Sequence, residues 1–225
     1  MIVRRRLAVT ATAVLLAVAS AACSGGKTST GAKGSASHQS SPAANPSGPA
    51  GPPAILQNGP GPQTKYTVQA QPPAGSCHYR YTADKQPLPD LKCTPGALNP
   101  KVTQANLNET VCKAGYTATI RPPASVTGAE KAANAKSYSY TGPMGDAEED
   151  HLVSLVLGGD PNSPLNLWVE PPSPDHKPGG GPNNPKDVVE SKLSKAVCSG
   201  KVQLAAAQSA IATDWTTALT RLGLK

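Results

Sequence analysis

Apolar residues fall into regular spacings only beyond Cys77, and there the period changes from stretch to stretch. Tyr116 to Arg121 alternates apolar and polar residues and predicts a short strand, stopped by Pro122-Pro123. Thr127-Gly128-Ala129-Glu130 has capping-box spacing and predicts a short helix running to about Lys136. Asp150 to Leu157 and Leu165 to Val169 read as two short strands, joined by Gly158-Gly159 and turn residues that end at Pro164. Asn184-Pro185 then supplies an N-cap and a first-turn proline, and Val189, Leu193 and Val197 recur at helical spacing until Ser199-Gly200. A last helix carries one apolar stripe, Leu204, Ile211, Trp215, Leu219 and Leu222, with Lys201, Gln208 and Thr216 for its wet face. Strands mixed with helices predict one α+β unit over residues 77–225, long enough for one core and too short for two.

Upstream of this unit the pattern is different. Arg4-Arg5-Arg6, the apolar Leu7 to Val18 and the small residues Ala19-Ser20-Ala21-Ala22 before Cys23 have the three parts of an export signal over residues 1–22. This segment resembles a bacterial lipoprotein signal, which implies cleavage before Cys23, acylation of that cysteine and a lipid anchor on the outer side of the cytoplasmic membrane. Ser20 stands where that family has an aliphatic residue, so ordinary secretion is the alternative. Residues 23–76 are rich in Gly, Ser, Ala, Pro and Gln, and predict a disordered linker between anchor and domain.

Composition and charge narrow the function classes. Apart from the leader, no apolar run approaches the roughly 20 residues of a membrane-spanning helix, which excludes a polytopic membrane protein. The net charge of +7 suggests an anionic partner until it is located along the chain. Arg4, Arg5, Arg6, Lys27, Lys33 and Lys65 all precede Cys77, and removing those six leaves +1 for the folded part. Bulk charge therefore does not make the domain a nucleic-acid binder; an anionic ligand would need a local device.

Four further cysteines, Cys77, Cys93, Cys112 and Cys198, are an even number in an exported chain and read as two disulfides. No CxxC pair is present, which argues against structural zinc. Of the three pairings that four cysteines allow, the expected one is Cys77–Cys93 with Cys112–Cys198.

The segment that could carry chemistry is Glu148-Glu149-Asp150-His151 through Gly158-Gly159, followed by Asn166-Leu167-Trp168 and the helix from Asn184. It resembles the ββα-metal core of HNH, or His-Me finger, endonucleases over about residues 150–197. More widely, Cys93 to Trp215 is similar to a group of uncharacterised exported bacterial proteins. The HNH resemblance implies a Mg²⁺- or Mn²⁺-dependent nuclease. In it His151 would be the general base, Asp150 a metal ligand, Asn166 the residue orienting the histidine or its loop, and Asp187 or Glu190 the helix acid completing the metal site. Phosphodiester hydrolysis needs such a base, and a cation to neutralise charge developing on phosphate.

Each role has a structural counterpart. His151 could be a satisfied structural histidine at a strand end, Asp187 a first-turn acid favouring the helix dipole, and Asp146, Glu148 and Glu149 a solvated acidic turn. Trp168 reads as core, His176 as an exposed loop residue, and Arg121 and Lys186 as surface cations within reach of phosphate. Two functions stay open: a nuclease acting on nucleic acid outside the membrane, and a non-catalytic envelope protein whose ββα scaffold binds a partner.

Overall fold

The computed structural model describes residues 56–225. Its ordered elements are short strands and helices: β1 (Gln57–Asn58), β2 (Arg80–Tyr81), β3 (Pro87–Leu88), β4 (Ala97–Leu98), α1 (Tyr116–Ile120), α2 (Ala124–Ser137), β5 (Glu148–His151), β6 (Leu167–Glu170), α3 (Pro185–Cys198), α4 (Leu204–Thr213) and α5 (Ala218–Arg221). The strands form three two-stranded sheets: β1 with β4 in parallel, and β2–β3 and β5–β6 antiparallel. The α+β expectation is therefore met, and the order strand, strand, helix in β5, β6 and α3 is present.

The centre of the fold is the β5–β6 ladder. Glu148 faces Glu170, Glu149 faces Val169, Asp150 faces Trp168 and His151 faces Leu167. Because successive side chains of a strand point to opposite sides, Glu148, Asp150, Trp168 and Glu170 share one face, and Glu149, His151, Leu167 and Val169 the other. The first face carries Trp168 into the main core with Leu193, Val197, Ile211 and Trp215. The second packs Val169 against Ala135 and Ala147, with α2 behind. Trp168 is fully buried, as the sequence suggested.

Several local expectations need correction. Tyr116 to Ile120 is helical, not a strand; Tyr116 and Ile120 are two contacts of a period-two pattern but equally an i,i+4 pair, and Gly115 at positive φ starts the turn. Helix α2 begins at Ala124, directly after Pro123, so Thr127 lies inside it and Glu130 turns inward. The strand expected to reach Leu157 stops at His151, and Leu155–Leu157 is a 3-10 turn. The partner of the Val153 amide is the Asn166 side chain, not a neighbouring strand. The second strand likewise begins at Leu167, leaving Leu165 exposed. The final helix is two helices, because the Asp214 carboxylate takes the Thr216 amide and restarts the chain. Gln208, expected on the wet face, is buried and donates to the Leu157 carbonyl at 2.8 Å.

The boundary at residue 76 is also displaced. Residues 1–55, including Cys23 and most of the expected linker, lie outside the described residues. Residues 56–76, however, form a strap bound to the domain by polar contacts. Gly61 donates its amide to Asp160 (2.6 Å), Gln69 to Glu130 (2.6 Å), and the Thr67 carbonyl accepts from Asn162 (3.0 Å). The Gln71 side chain accepts from Asn134 at 3.0 Å, and the Pro72 carbonyl from Ser137 at 2.5 Å. In four of these five contacts a polar side chain of the domain serves the strap's backbone, a device that needs no apolar spacing in the strap itself.

The disulfides are Cys77–Cys93 and Cys112–Cys198, as expected. The second ties the segment before α1 to the end of α3. Their sequence separations are 16 and 86 residues. If restriction of the unfolded chain is what stabilises, replacing Cys112 and Cys198 by serine should cost about 4–5 kcal/mol, against about 3 kcal/mol for the Cys77/Cys93 pair. Denaturant titration of the two double variants checks the order, and an equal or reversed loss would refute it.

Candidate functional site

The site is built by the register of β5 and β6 and by the first turn of α3. Asn184 caps that helix: its Oδ1 accepts the Lys186 amide at 2.8 Å, and the Asp187 side chain returns to the Asn184 amide at 3.4 Å. The Asn184 amide group also donates to Glu148 at 2.6 Å, fixing the start of the helix to the hairpin face that carries Asp150. Lys186, on the inner side of this first turn, is 0% exposed. Its ammonium reaches Asp150 at 2.8 Å, Glu190 one turn along at 2.5 Å and the His151 carbonyl at 2.9 Å.

Asp150 has a second donor, the Trp168 indole Nε1 at 2.6 Å, and Glu190 a second donor, the Ser154 hydroxyl at 2.7 Å. Every proton of the ammonium has an acceptor, the condition under which a buried charge is tolerated. Burial works against the charge on Lys186, but Asp150, Glu190 and Glu170 more than offset it, and the net shift is upward. Glu170, on the same face, is buried, and that burial together with the Asp150 carboxylate pushes it well above the usual carboxylate range.

This arrangement answers the roles expected of each residue. Asp150 and Glu190 do converge, as a metal site would require, but the place between them is filled by the Lys186 ammonium. A divalent cation there would have to displace a fixed positive charge at 2.5–2.8 Å from its own ligands, so these residues do not fit a metal. Asp187 belongs to the helix cap and is exposed. Among the described residues, no group of three or more His, Cys, Asp or Glu side chains is arranged to hold a metal ion.

His151, next in sequence to Asp150, points to the other face of the hairpin. It is 8% exposed, and its Nε2 lies 3.1 Å from the Pro161 carbonyl. A carbonyl can only accept, so the proton sits on Nε2. Burial pushes the imidazole down to about 4. Asn166 acts on the loop, not on the ring: its Oδ1 accepts from Val153 (2.9 Å) and its Nδ2 donates to the carbonyls of Val153 and Asp160, both at 3.0 Å. Gly159 is needed beside it, since a Cβ there would meet the Val153 carbonyl at 1.7 Å.

Three surface assignments change. Lys186 is not a surface cation but the most enclosed charge in the site. The Asp146 carboxylate is buried and accepts from the Gly179 amide at 2.9 Å, with His176 at 3.4 Å, so that neither is freely solvated. A signal for Lys186 did exist in the sequence. A lysine in the first turn of a helix opposes the positive end of the helix dipole, so it needs carboxylates close by, and Glu190 is one turn away on the same side.

Two outcomes follow. Lys186→Met should cost about 3–5 kcal/mol, because Asp150 and Glu190 would be left buried without their cation. The triple variant Asp150→Asn/Lys186→Met/Glu190→Gln should recover most of that loss in denaturant titrations; no recovery would mean that the lysine acts by packing alone. The second concerns pH. Burial, helped by Asp150 and by Glu130 respectively, pushes Glu148 and Glu149 up to about 8 from 4.5. Their contribution is complete below 4.5 and is lost as pH rises through 8, whereas that of His151 is complete above 6.5 and is lost on acidification towards 4. Above pH 6.5 the contribution of His151 no longer changes, whereas Glu148 and Glu149, with the likewise raised Glu170, lower stability as pH rises, so the Tm should fall between pH 6.5 and about pH 8, and Glu148→Gln/Glu149→Gln should reduce that fall.

Compared with protein-family models, curated proteins and solved structures, the chain matches none.

Proposed function

We propose that this chain is an exported protein, anchored through Cys23 at the outer side of the cytoplasmic membrane or released, whose ββα unit is a binding scaffold and not a nuclease. Two disulfides belong to an oxidising compartment outside the cytoplasm. Among the described residues, no helix is long and apolar enough to cross a membrane.

The observation that carries the non-catalytic reading is the Lys186 ammonium between Asp150 and Glu190. It supplies from within the chain the positive charge that a nuclease would take from a metal, and it is aimed at carboxylates, with no face left for phosphate. The state of His151 supports the same reading. An imidazole pushed down to about 4 by burial has lost most of the proton affinity that a general base near neutral pH requires. A scaffold can persist without its chemistry, and the elements β5, β6 and α3 are here held by an ion cluster that stabilises them without any ligand.

The purified oxidised protein, incubated with single- and double-stranded DNA and with RNA in Mg²⁺ or Mn²⁺, should cleave no more than in chelator, and His151→Ala should behave as the wild type. Cleavage that requires metal and disappears in His151→Ala would overturn the proposal.

A further inference from the structure

Charge is segregated along the folded chain. Residues 146–190 contain nine acidic side chains and two basic ones, whereas residues 191–225 contain five basic side chains and one acid, Asp214. The basic segment folds back on itself, and an open groove of about 600 Å³ lies between the last two turns of α3 and the end of the chain. Lys192, Lys195, Lys201 and Lys225 line it, with Ser199 and Leu224. All four lysines are exposed, and none takes part in an ion pair among the described residues.

Two helix ends fix this geometry. After α3, Gly200 at φ 75° donates to Val197 and Lys201 donates back to Ala196, both at 2.9 Å. After α5, Gly223 at φ 66° donates to Thr220 at 3.1 Å and Leu224 to Leu219 at 2.9 Å. Both are Schellman turns, in which a residue at positive φ reverses the chain and satisfies the last carbonyls of the helix. The first turn carries Lys201 to the groove beside Lys192 and Lys195. The second folds Leu224 inward and leaves Lys225 at the rim. The Cys112–Cys198 disulfide pins the end of α3 at the same place.

Lys195 has a local reason to be there, since a cation in the last turn favours the negative end of the helix. Lys192, Lys201 and Lys225 have none. Four ammonium groups around one concavity, with no acidic side chain among the lining residues, repel one another until an anion joins them. This is the local device that the nearly neutral domain would need to hold an anionic partner.

We infer that this groove docks a linear polyanion with phosphate in its backbone. Lysine ammoniums are compact point charges without the planar fork of arginine, which suits repeated phosphates in variable orientation. A membrane surface is a poorer match, because none of the exposed large hydrophobic residues, Val68, Tyr81, Met144, Leu165 and Val188, lines the groove, and only Val188, one turn before Lys192 on α3, stands next to its lysines. The inference deepens the proposed binding function by naming a partner class, and rests on that reading only in treating the polymer as bound and not cut.

The test is calorimetric titration of the oxidised protein with linear inorganic polyphosphate, with oligothymidylate and with vesicles of phosphatidylglycerol and phosphatidylcholine. Binding of either polymer is expected, with log K falling against log salt at a slope of roughly −2 to −3 for three or four lysines neutralised. Lys192→Gln/Lys195→Gln/Lys201→Gln should weaken it at least about tenfold and reduce the slope. Lys65→Gln/Lys92→Gln/Lys136→Gln, with the same change in net charge at other exposed sites, should have less than about a twofold effect beyond general charge screening. No binding of either polymer at low salt, equal losses in the two triple variants, or binding to vesicles alone would overturn the inference. Polymer length is followed on gels in the same samples: shortening would refute the non-catalytic reading while leaving the groove assignment standing, and loss of binding without shortening would do the reverse.

Discussion

The buried ammonium of Lys186 is the interaction on which the centre of this fold depends. Moving such a charge out of water costs several kcal/mol, and it is tolerated because Asp150, Glu190 and the His151 carbonyl surround it. Those partners come from β5 and α3, so the ion cluster fixes the angle at which the helix meets the hairpin. Through Asp150 it orients the Trp168 indole, and through Glu190 it holds the Ser154 hydroxyl at the start of the loop between the strands. Trp168 and Leu193 belong to the same apolar core, and the ions join the helix to the hairpin.

The same principle recurs where the strap crosses the domain. Asp160, Glu130, Asn134, Asn162 and Ser137 are buried, and each spends hydrogen-bonding capacity on residues 61–72. Asn166 does likewise for the loop around Val153. A chain with no phenylalanine and few aromatic residues has limited apolar surface to join irregular segments. Buried polar pegs and two disulfides do that work here, at the cost that every peg must keep its partner.

Inward use of the acids explains the outward charge. Asp150 and Glu190 are drawn around Lys186, and Asp146 is consumed in ordering the glycine-rich loop near His176. The lysines after residue 191 have no such partners and remain on the surface. A domain with a net charge near zero thereby presents a strongly basic end, which its bulk charge conceals.

Read alone, the sequence determined what is local. Helix α3, its cap and its glycine stop follow from Asn184-Pro185 and Ser199-Gly200, because cap and αL chemistry is written in adjacent residues. The disulfide pairing and the order of β5, β6 and α3 were also legible, as was the burial of Trp168. What tertiary structure decided is which polar side chains turn inward. Asp150 and His151 are neighbours in sequence, yet the pleat sends them to opposite faces, and Lys186, thirty-six residues from Asp150, becomes the partner of one of them. The strap was invisible for the same reason. A backbone amide bound by a distant carboxylate needs no particular side chain of its own, so the contact leaves no trace in the spacing of residues, only in the fold that brings the two together.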